Sequence, residues 1–321
     1  MKSSFLCKRL KNPFADPVVL VRFIREKHAI VFDLGDITAL STREILSISH
    51  AFVTHMHIDH FIGFDYLMRY NLRREKALSI YGPPGIINAV EGKLRGYTWN
   101  LIKDYPLKIE VFEVAGQVKL QASFYASEGF SRIDREPETV GAALLSEADF
   151  MMEAQEFWHQ IPVLGYSLVE HTHFNINKAL LVEMGLTVGP WLKELKAAIR
   201  LGINDKVFTF EHQSYHIDEL KDLVLVTKGD KITYITDIAS EDRNIDNAVR
   251  FAKGADILYI EAYFMEKDRD RALQRNHITA RQAGMIAREA GVKRLEIIHI
   301  SPKYSEMPEK VIEEAMNEFL R

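Results

Sequence analysis

Apolar positions along this chain fall into short runs. In the first half, residues 18–23, 29–32, 51–53 and 108–114 combine β-branched and aromatic side chains in stretches of strand length. In the second half, strand-like runs at 232–236, 257–260 and 295–300 alternate with helix-like segments at 245–252 and 279–290. Such alternation predicts an α/β layout. No internal repeat, low-complexity stretch or Pro/Gly/Ser-rich linker interrupts the pattern, so a single domain over residues 1–321 is expected.

Two helix starts follow from local chemistry. Thr279 and Gln282 have the spacing of a capping box, and Gly291 suits the far end of the same helix. That puts His277 just before a helix N-terminus. Pro190 opens another helix, whose apolar face is Trp191, Leu195, Ala198 and Ile199 while Lys193, Lys196 and Arg200 point elsewhere.

With 321 residues, 47% of them hydrophobic and 27% charged, the chain carries enough apolar material for a sizeable core. No apolar run reaches membrane-spanning length, and the first residues lack the apolar stretch of a secretion signal, so a cytoplasmic protein is expected. Cys7 is the only cysteine, which excludes an intramolecular disulfide. It sits among Lys8, Arg9 and Lys11 with no histidine partner motif, so it is not read as a nucleophile. The net charge of -4 excludes nucleic-acid binding by bulk charge. Any RNA contact must come from local patches: Lys8/Arg9/Lys11, Arg69/Arg73/Arg74/Lys76, or Lys193/Lys196/Arg200. Taken alone, each is better read as a solvated face.

The chemistry concentrates after the apolar run at 51–53. Thr54-His55-Met56-His57-Ile58-Asp59-His60 places three imidazoles and a carboxylate within six residues. Alternate side chains of an extended or looping backbone point the same way, so His55 and His57 can converge on one metal. Asp59 and His60 lie beyond the turn, placed for a second ion. A two-metal site needs further ligands, including a carboxylate able to bridge the ions. Asp237 ends one strand-like run, His159 precedes the apolar stretch 161–164, and His299 lies in the last run. Taken singly, each would serve as a hydrogen-bonded structural residue; together they complete a shell. His171, His173, His212, His216, His28 and His50 are assigned no role.

In these segments the chain resembles the ribonuclease Z branch of the metallo-β-lactamase superfamily, endonucleases that trim the 3′ trailer from precursor tRNA. The matching stretches are Thr54 to His60, Tyr81-Gly-Pro-Pro-Gly85, His159-Gln-Ile-Pro-Val-Leu-Gly-Tyr166, Tyr234-Ile-Thr-Asp237, Glu261-Ala-Tyr-Phe264, His277-Ile-Thr-Ala280 and His299-Ile-Ser-Pro-Lys-Tyr304, in the family's order. The resemblance implies a four-layer αββα sandwich and two divalent ions, zinc or manganese. It implies that His55, His57 and His159 hold one ion, that Asp59, His60 and His299 hold the other, and that Asp237 bridges them. Asp33 would orient ligands from behind, although a turn-capping role suits it equally. Catalysis would rest on Asp59, His277 and Glu261. A metal-bound hydroxide would attack, and His277, paired with Glu261, would give a proton to the departing 3′ oxygen. A homodimer and an arm clamping the tRNA body, at about residues 170–200, are also implied.

Some positions depart from the family pattern. Ile58 stands where a glycine is usual, Leu34-Gly-Asp-Ile37 replaces a Cys-Gly-Glu type segment, and His171-Thr-His-Phe174 replaces the usual Pro-Gly entry to the arm. No Gly-rich loop or Pro-Lys-Arg-Asn type motif is recognisable in residues 3–17. A hydrolase of small phosphodiesters or other esters on the same fold is the alternative enzyme. An RNA-binding protein that has lost turnover is the rival from another class.

Overall fold

The computed structural model describes residues 4–9, 14–24, 28–141, 143–210 and 213–321; Lys11 and His212 lie outside these described residues. The chain divides into two compact units, one of Met1–Val169 with Asp230–Arg321, the other Glu170–Gly229. The sequence pattern predicts one domain, and the family resemblance implies an arm at about 170–200. The second unit begins there and runs on to Gly229.

The larger unit contains two sheets. In the first, Phe5–Arg9, Val19–Phe23, Ala29–Phe32, Ile48–Phe52, Ala77–Gly82, Lys108–Ala115, Val118–Tyr125 and Arg132–Asp134 lie side by side in that order, and Glu138–Thr139 pairs with Val118–Tyr125. The four strands from Ala29–Phe32 to Lys108–Ala115 run parallel. The second sheet orders Leu145–Ser146, Phe150–Trp158, Pro162–Glu170, Lys231–Ile235, Ile257–Glu261 and Leu295–Ile298, the last three parallel.

Strand side chains alternate between two faces, and the alternation builds four layers. Val19, Val21, Ile30, Phe32, Phe52 and Tyr81 of the first sheet pack against Tyr166, Leu168, Ile232, Tyr234, Tyr259 and Ile298 of the second. The intervening Leu20, Val31, Ala51 and Ile80 point outward onto helix residues Ile45, Phe64, Leu67, Ile86 and Val90. On the other side Ile235, Leu258, Ile260 and Ile297 meet Ile245, Ala248, Ala283, Ile286, Val311 and Ala315. The result is the helix–sheet–sheet–helix sandwich of the metallo-β-lactamase fold.

The unit Glu170–Gly229 has its own core, in which Leu181, Leu192, Leu195, Phe208, Leu220 and Leu223 converge. Its helix Trp191–Arg200 starts after Pro190 as expected; Leu192 joins the buried face and Ile199 sits at its border. His216 caps the helix Ile217–Leu220 with a capping box.

Several sequence features take structural roles. His50 lies inside the strand Ile48–Phe52, with its ring stacked 6.3 Å from Phe52 and from Tyr81. Burial pushes its pKa down to about 4. Burial likewise raises the Cys7 thiol to about 11, which fits an inert side chain. Lys8 is paired with Glu44, and Lys76 donates to the Leu46 and Ile48 carbonyls, so neither is a free cation. Among the described residues no helix is long and apolar enough to cross a membrane.

Candidate metal centre

The site is assembled at the ends of parallel strands in the larger unit. Asp33 follows Ala29–Phe32, Asp237 closely follows Lys231–Ile235, and His299 follows Leu295–Ile298; all three adopt left-handed backbone, with φ of 55°, 52° and 52°. Non-glycine residues rarely occupy that region; Asp237 and His299 line the cleft, and Asp33 lies buried behind them. His159 sits in the turn between Phe150–Trp158 and Pro162–Glu170, next to Gln160 with φ of 59°. His57 is the N-cap of the short helix Ile58–Phe61, which carries Asp59 and His60.

The fold brings the residues named from the sequence as candidate ligands into one region. The rings of His55 and His57 lie 4.3 Å apart, and that of His159 is 5.9 and 5.7 Å from them. His60 and His299 are 5.2 Å apart. Asp237 is shared: its Oδ1 lies 3.8 Å from His159 Nε2, while its Oδ2 lies 3.0 Å from His60 Nε2 and 3.3 Å from His299 Nδ1. Asp59 Oδ2 is 3.3 Å from His299 Nε2 and 3.5 Å from His60 Nε2. The donor atoms of Asp59, His60 and His299 all fall within 4.8 Å of one another, as do those of His55, His60 and Asp237.

Orientation comes from behind this layer. Asp33, fully buried, accepts from Thr54 N at 2.7 Å and from the Tyr234 hydroxyl at 2.8 Å, and its Oδ2 lies 2.8 Å from His60 Nδ1. Asp33 is therefore an orienter and not a turn cap. His159 Nδ1 donates to the Asn276 carbonyl at 2.6 Å, which leaves Nε2 facing the cleft.

These residues fit a cation. With Nδ1 of His60 committed to Asp33, its Nε2 is buried without a hydrogen-bond partner among the described residues, and so is His299 Nδ1. Both face carboxylate oxygens, and lone pairs aimed at one another require a positive centre between them. The electrostatics agree. Burial, reinforced by the neighbouring imidazoles, lowers His55 to about 2 and so keeps it a neutral ligand. Burial opposes charge on His60 as well, but Asp237 and Asp33 outweigh it and raise its pKa well above the ordinary value. For Asp237 burial is outweighed by His299 and His60, which hold the carboxyl well below its usual range. A cluster that asks this strongly for positive charge suits metal ions bound by imidazole and carboxylate.

Beside the candidate ligands lies a buried imidazole–carboxylate pair. His277 Nδ1 is 2.7 Å from Glu261 Oε2, and Glu261 Oε1 accepts from Ile238 N at 2.8 Å. Burial lowers the His277 pKa, but the Glu261 carboxylate more than compensates and the net shift is upward. His277 follows Asn276, which ends the helix Arg269–Arg275 in left-handed backbone, and precedes the Thr279–Gln282 capping box. A cleft of about 460 Å³ is lined by His57, Asp59, His159, Asp237, His277 and His299 together.

Comparison with known proteins yields relatives over most of this length, although no family model matches. A ribonuclease Z of Nanoarchaeum equitans is 30% identical over 281 residues, 86% of this chain and 75% of the relative. The chain belongs to the ribonuclease Z family. A ribonuclease Z of Deinococcus radiodurans is 29% identical, covering 86% of this chain and 83% of that one. Among solved structures, human tRNase Z, short form, superposes with a TM-score of 0.54 at 18% identity, covering 94% of this chain and 93% of that one. A metallo-β-lactamase fold protein from Bacillus subtilis gives 0.52 at 14% identity over 95% and 86%. Both agree with the four layers described above.

Sequence reasoning missed several residues of this ribonuclease Z family site. Tyr263 stacks on His277 at 3.9 Å with the planes 6° apart, yet in sequence it is one aromatic beside a strand end. Tyr234 reads as strand core, and its hydroxyl contact to Asp33 bridges residues 201 positions apart. Arg271 and Arg275 line the cleft without belonging to any of the basic patches visible in the sequence. Their four-residue spacing was the available signal.

Proposed function

We propose that the protein is a metal-dependent endoribonuclease that removes the 3′ trailer of precursor tRNA. Membership of the ribonuclease Z family supports the substrate. The observation that carries the chemistry is the His277–Glu261 pair beside a ligand cluster in one open cleft. His55, His57 and His159 would hold one ion and Asp59, His60 and His299 the other. Asp237, with one carboxylate oxygen toward each group, would lie between them. Bound there, divalent ions such as zinc or manganese would supply Lewis-acid polarisation of water and of the phosphoryl oxygens.

The chain's own residues then divide the remaining work. Asp33 and the Asn276 carbonyl fix the ring orientation of His60 and His159. Glu261 favours the protonated form of His277, and Tyr263 clamps the plane of the imidazole by stacking. His277 is thereby ready to protonate the departing 3′ oxygen, a poor leaving group that needs a proton. The unit Glu170–Gly229 would contact the body of the tRNA through the exposed Lys193 and Arg200 of its helix Trp191–Arg200. A homodimer is part of this reading, to be checked by light scattering of the purified protein.

The leaving group supplies the test. Wild type and His277→Ala are compared on precursor tRNA and on a small diester that releases nitrophenolate, which leaves without protonation. His277→Ala should lose about 100-fold or more on RNA and far less on the diester. Equal losses on both would remove His277 as proton donor, and hydrolysis of the diester alone by wild type would favour the small-phosphodiester alternative.

A further inference from the structure

The cleft that exposes the ligands has one basic wall. Arg271 and Arg275 both line it, both are exposed, and neither has a carboxylate partner among the described residues. Their neighbours differ. Arg269, on the same helix, pairs with Glu266, and Lys303, which also lines the cleft, pairs with Asp268 at the start of that helix. The helix Arg269–Arg275 thus neutralises its outward arginine and leaves two guanidinium groups free beside the ligands.

The spacing of those two is informative. Residues four apart share a face of a helix and are separated by roughly 6 Å along its axis, comparable to the distance between successive phosphates of a nucleic-acid strand. Guanidinium groups bind phosphate oxygens through two parallel hydrogen bonds and hold their charge at any physiological pH. Their position matters as well. Asn276 ends this helix and His277 follows directly, so the arginines lead outward from the proposed proton donor. Asp59 and Asp237 line the same cleft, and a polyanion running along it beyond these residues needs local positive charge that a chain of net charge -4 does not provide in bulk.

We propose that Arg271 and Arg275 form a phosphate ladder that binds two consecutive backbone phosphates of single-stranded RNA on the leaving-group side of the cut. Because the departing 3′ oxygen belongs to the nucleotide upstream of the cut, these are phosphates of the tRNA 3′ end and not of the trailer. The inference rests on the ribonuclease reading and deepens it. A small diester has one phosphate and nothing to place on the ladder, so these arginines set selectivity for a strand.

The test is binding, read without turnover. Fluorescein-labelled precursor tRNA is titrated with the chelator-treated full chain between about 50 and 200 mM salt, followed by anisotropy. Replacing two phosphate contacts should flatten the plot of log affinity against log salt by about 1.5. Arg271→Ala/Arg275→Ala should show that flattening together with weaker binding at low salt. The doubly lysine-substituted variant should keep most of the slope, and Arg269→Ala should behave as wild type. Wild-type affinity and slope in the double alanine variant would overturn the ladder, as would an equal loss in Arg269→Ala. If the double variant loses slope but metal-loaded wild type cuts no precursor tRNA, the ladder stands and the ribonuclease reading fails. If wild type cuts correctly and the slope is unchanged, the reverse holds. No RNA binding by wild type overturns both.

Discussion

Replacing Asp33 by asparagine isolates the support of one metal position. The backbone at this site is left-handed, φ 55°, a conformation that asparagine tolerates as well as aspartate, and the two side chains are nearly isosteric. What changes is hydrogen bonding. Asp33 accepts from Thr54 N (2.7 Å), Thr54 Oγ1 (3.0 Å) and the Tyr234 hydroxyl (2.8 Å), with His60 Nδ1 also at 2.8 Å. If the single amide oxygen stays with Thr54, the amide nitrogen faces His60 Nδ1. Two donors cannot share that contact, so His60 moves its proton to Nε2, the atom that faces Asp237 and Asp59. A protonated Nε2 cannot bind metal. Loss of such an orienting carboxylate weakens metal affinity about 10–100-fold, or about 1.4–2.8 kcal/mol. The effect should fall on the ion held by Asp59, His60 and His299, and not on that held by His55, His57 and His159. Competition against a chromophoric chelator, with metal content counted per chain, reads this directly. Two ions bound with wild-type affinity by Asp33→Asn would refute the orienting role, and equal weakening of both would refute the division of ligands.

His57→Ala should lose metal while His277→Ala retains it, which elemental analysis of the dialysed variants decides. Glu261→Gln should move the alkaline limb of the kcat/KM profile to lower pH, because Glu261 raises the His277 pKa and an acid catalyst works only below its pKa; an unmoved limb would break the pairing. His50, with a pKa near 4 in the fold against 6.5 ordinarily, takes up a proton more readily when unfolded. Its contribution is therefore full above pH 6.5 and lost as pH falls toward 4, at most about 3 kcal/mol. Urea midpoints of His50→Phe should depend less on acid than those of wild type over that window. A Cβ at Gly284 would lie 2.2 Å from the Ala315 carbonyl oxygen, which is backbone and cannot step aside. Gly284→Ala should therefore destabilise by about 1–3 kcal/mol despite a helix-propensity gain of about 1 kcal/mol; a raised urea midpoint would show that the helices Ala280–Glu289 and Pro308–Phe319, which carry these two residues, separate freely.

The strand-like runs and their alternation with helices were legible in the sequence, whereas the four layers followed only from the family resemblance. In Ala29–Phe32 every position is apolar and buried, so nothing in the sequence told that Ile30 and Phe32 face the other sheet while Ala29 and Val31 face the helices. The Thr279–Gln282 capping box was legible because its partners are three residues apart. Contacts between distant positions were not. Nothing local marks Lys8 as the partner of Glu44, or the left-handed backbone at Asp33, Asp237 and His299, since none is glycine. The separate core within Glu170–Gly229 was hidden for another reason: Leu181, Leu195, Phe208 and Leu223 are spread over several short elements, and no linker composition sets them apart from the larger unit. In the cleft, the candidate ligands stand out in the sequence by residue type and density, whereas Tyr263, Arg271 and Arg275 are ordinary residues made significant only by what they face.

The measurement that bears most directly on the central claim is cleavage of a 5′-end-labelled precursor tRNA, mapped to the nucleotide, by the protein loaded with zinc or manganese and again after chelation. The account predicts one cut immediately after the discriminator base, leaving a 3′ hydroxyl, abolished by the chelator and restored by the metal. No cut by metal-replete protein, or scattered cleavage that persists after chelation, would contradict it.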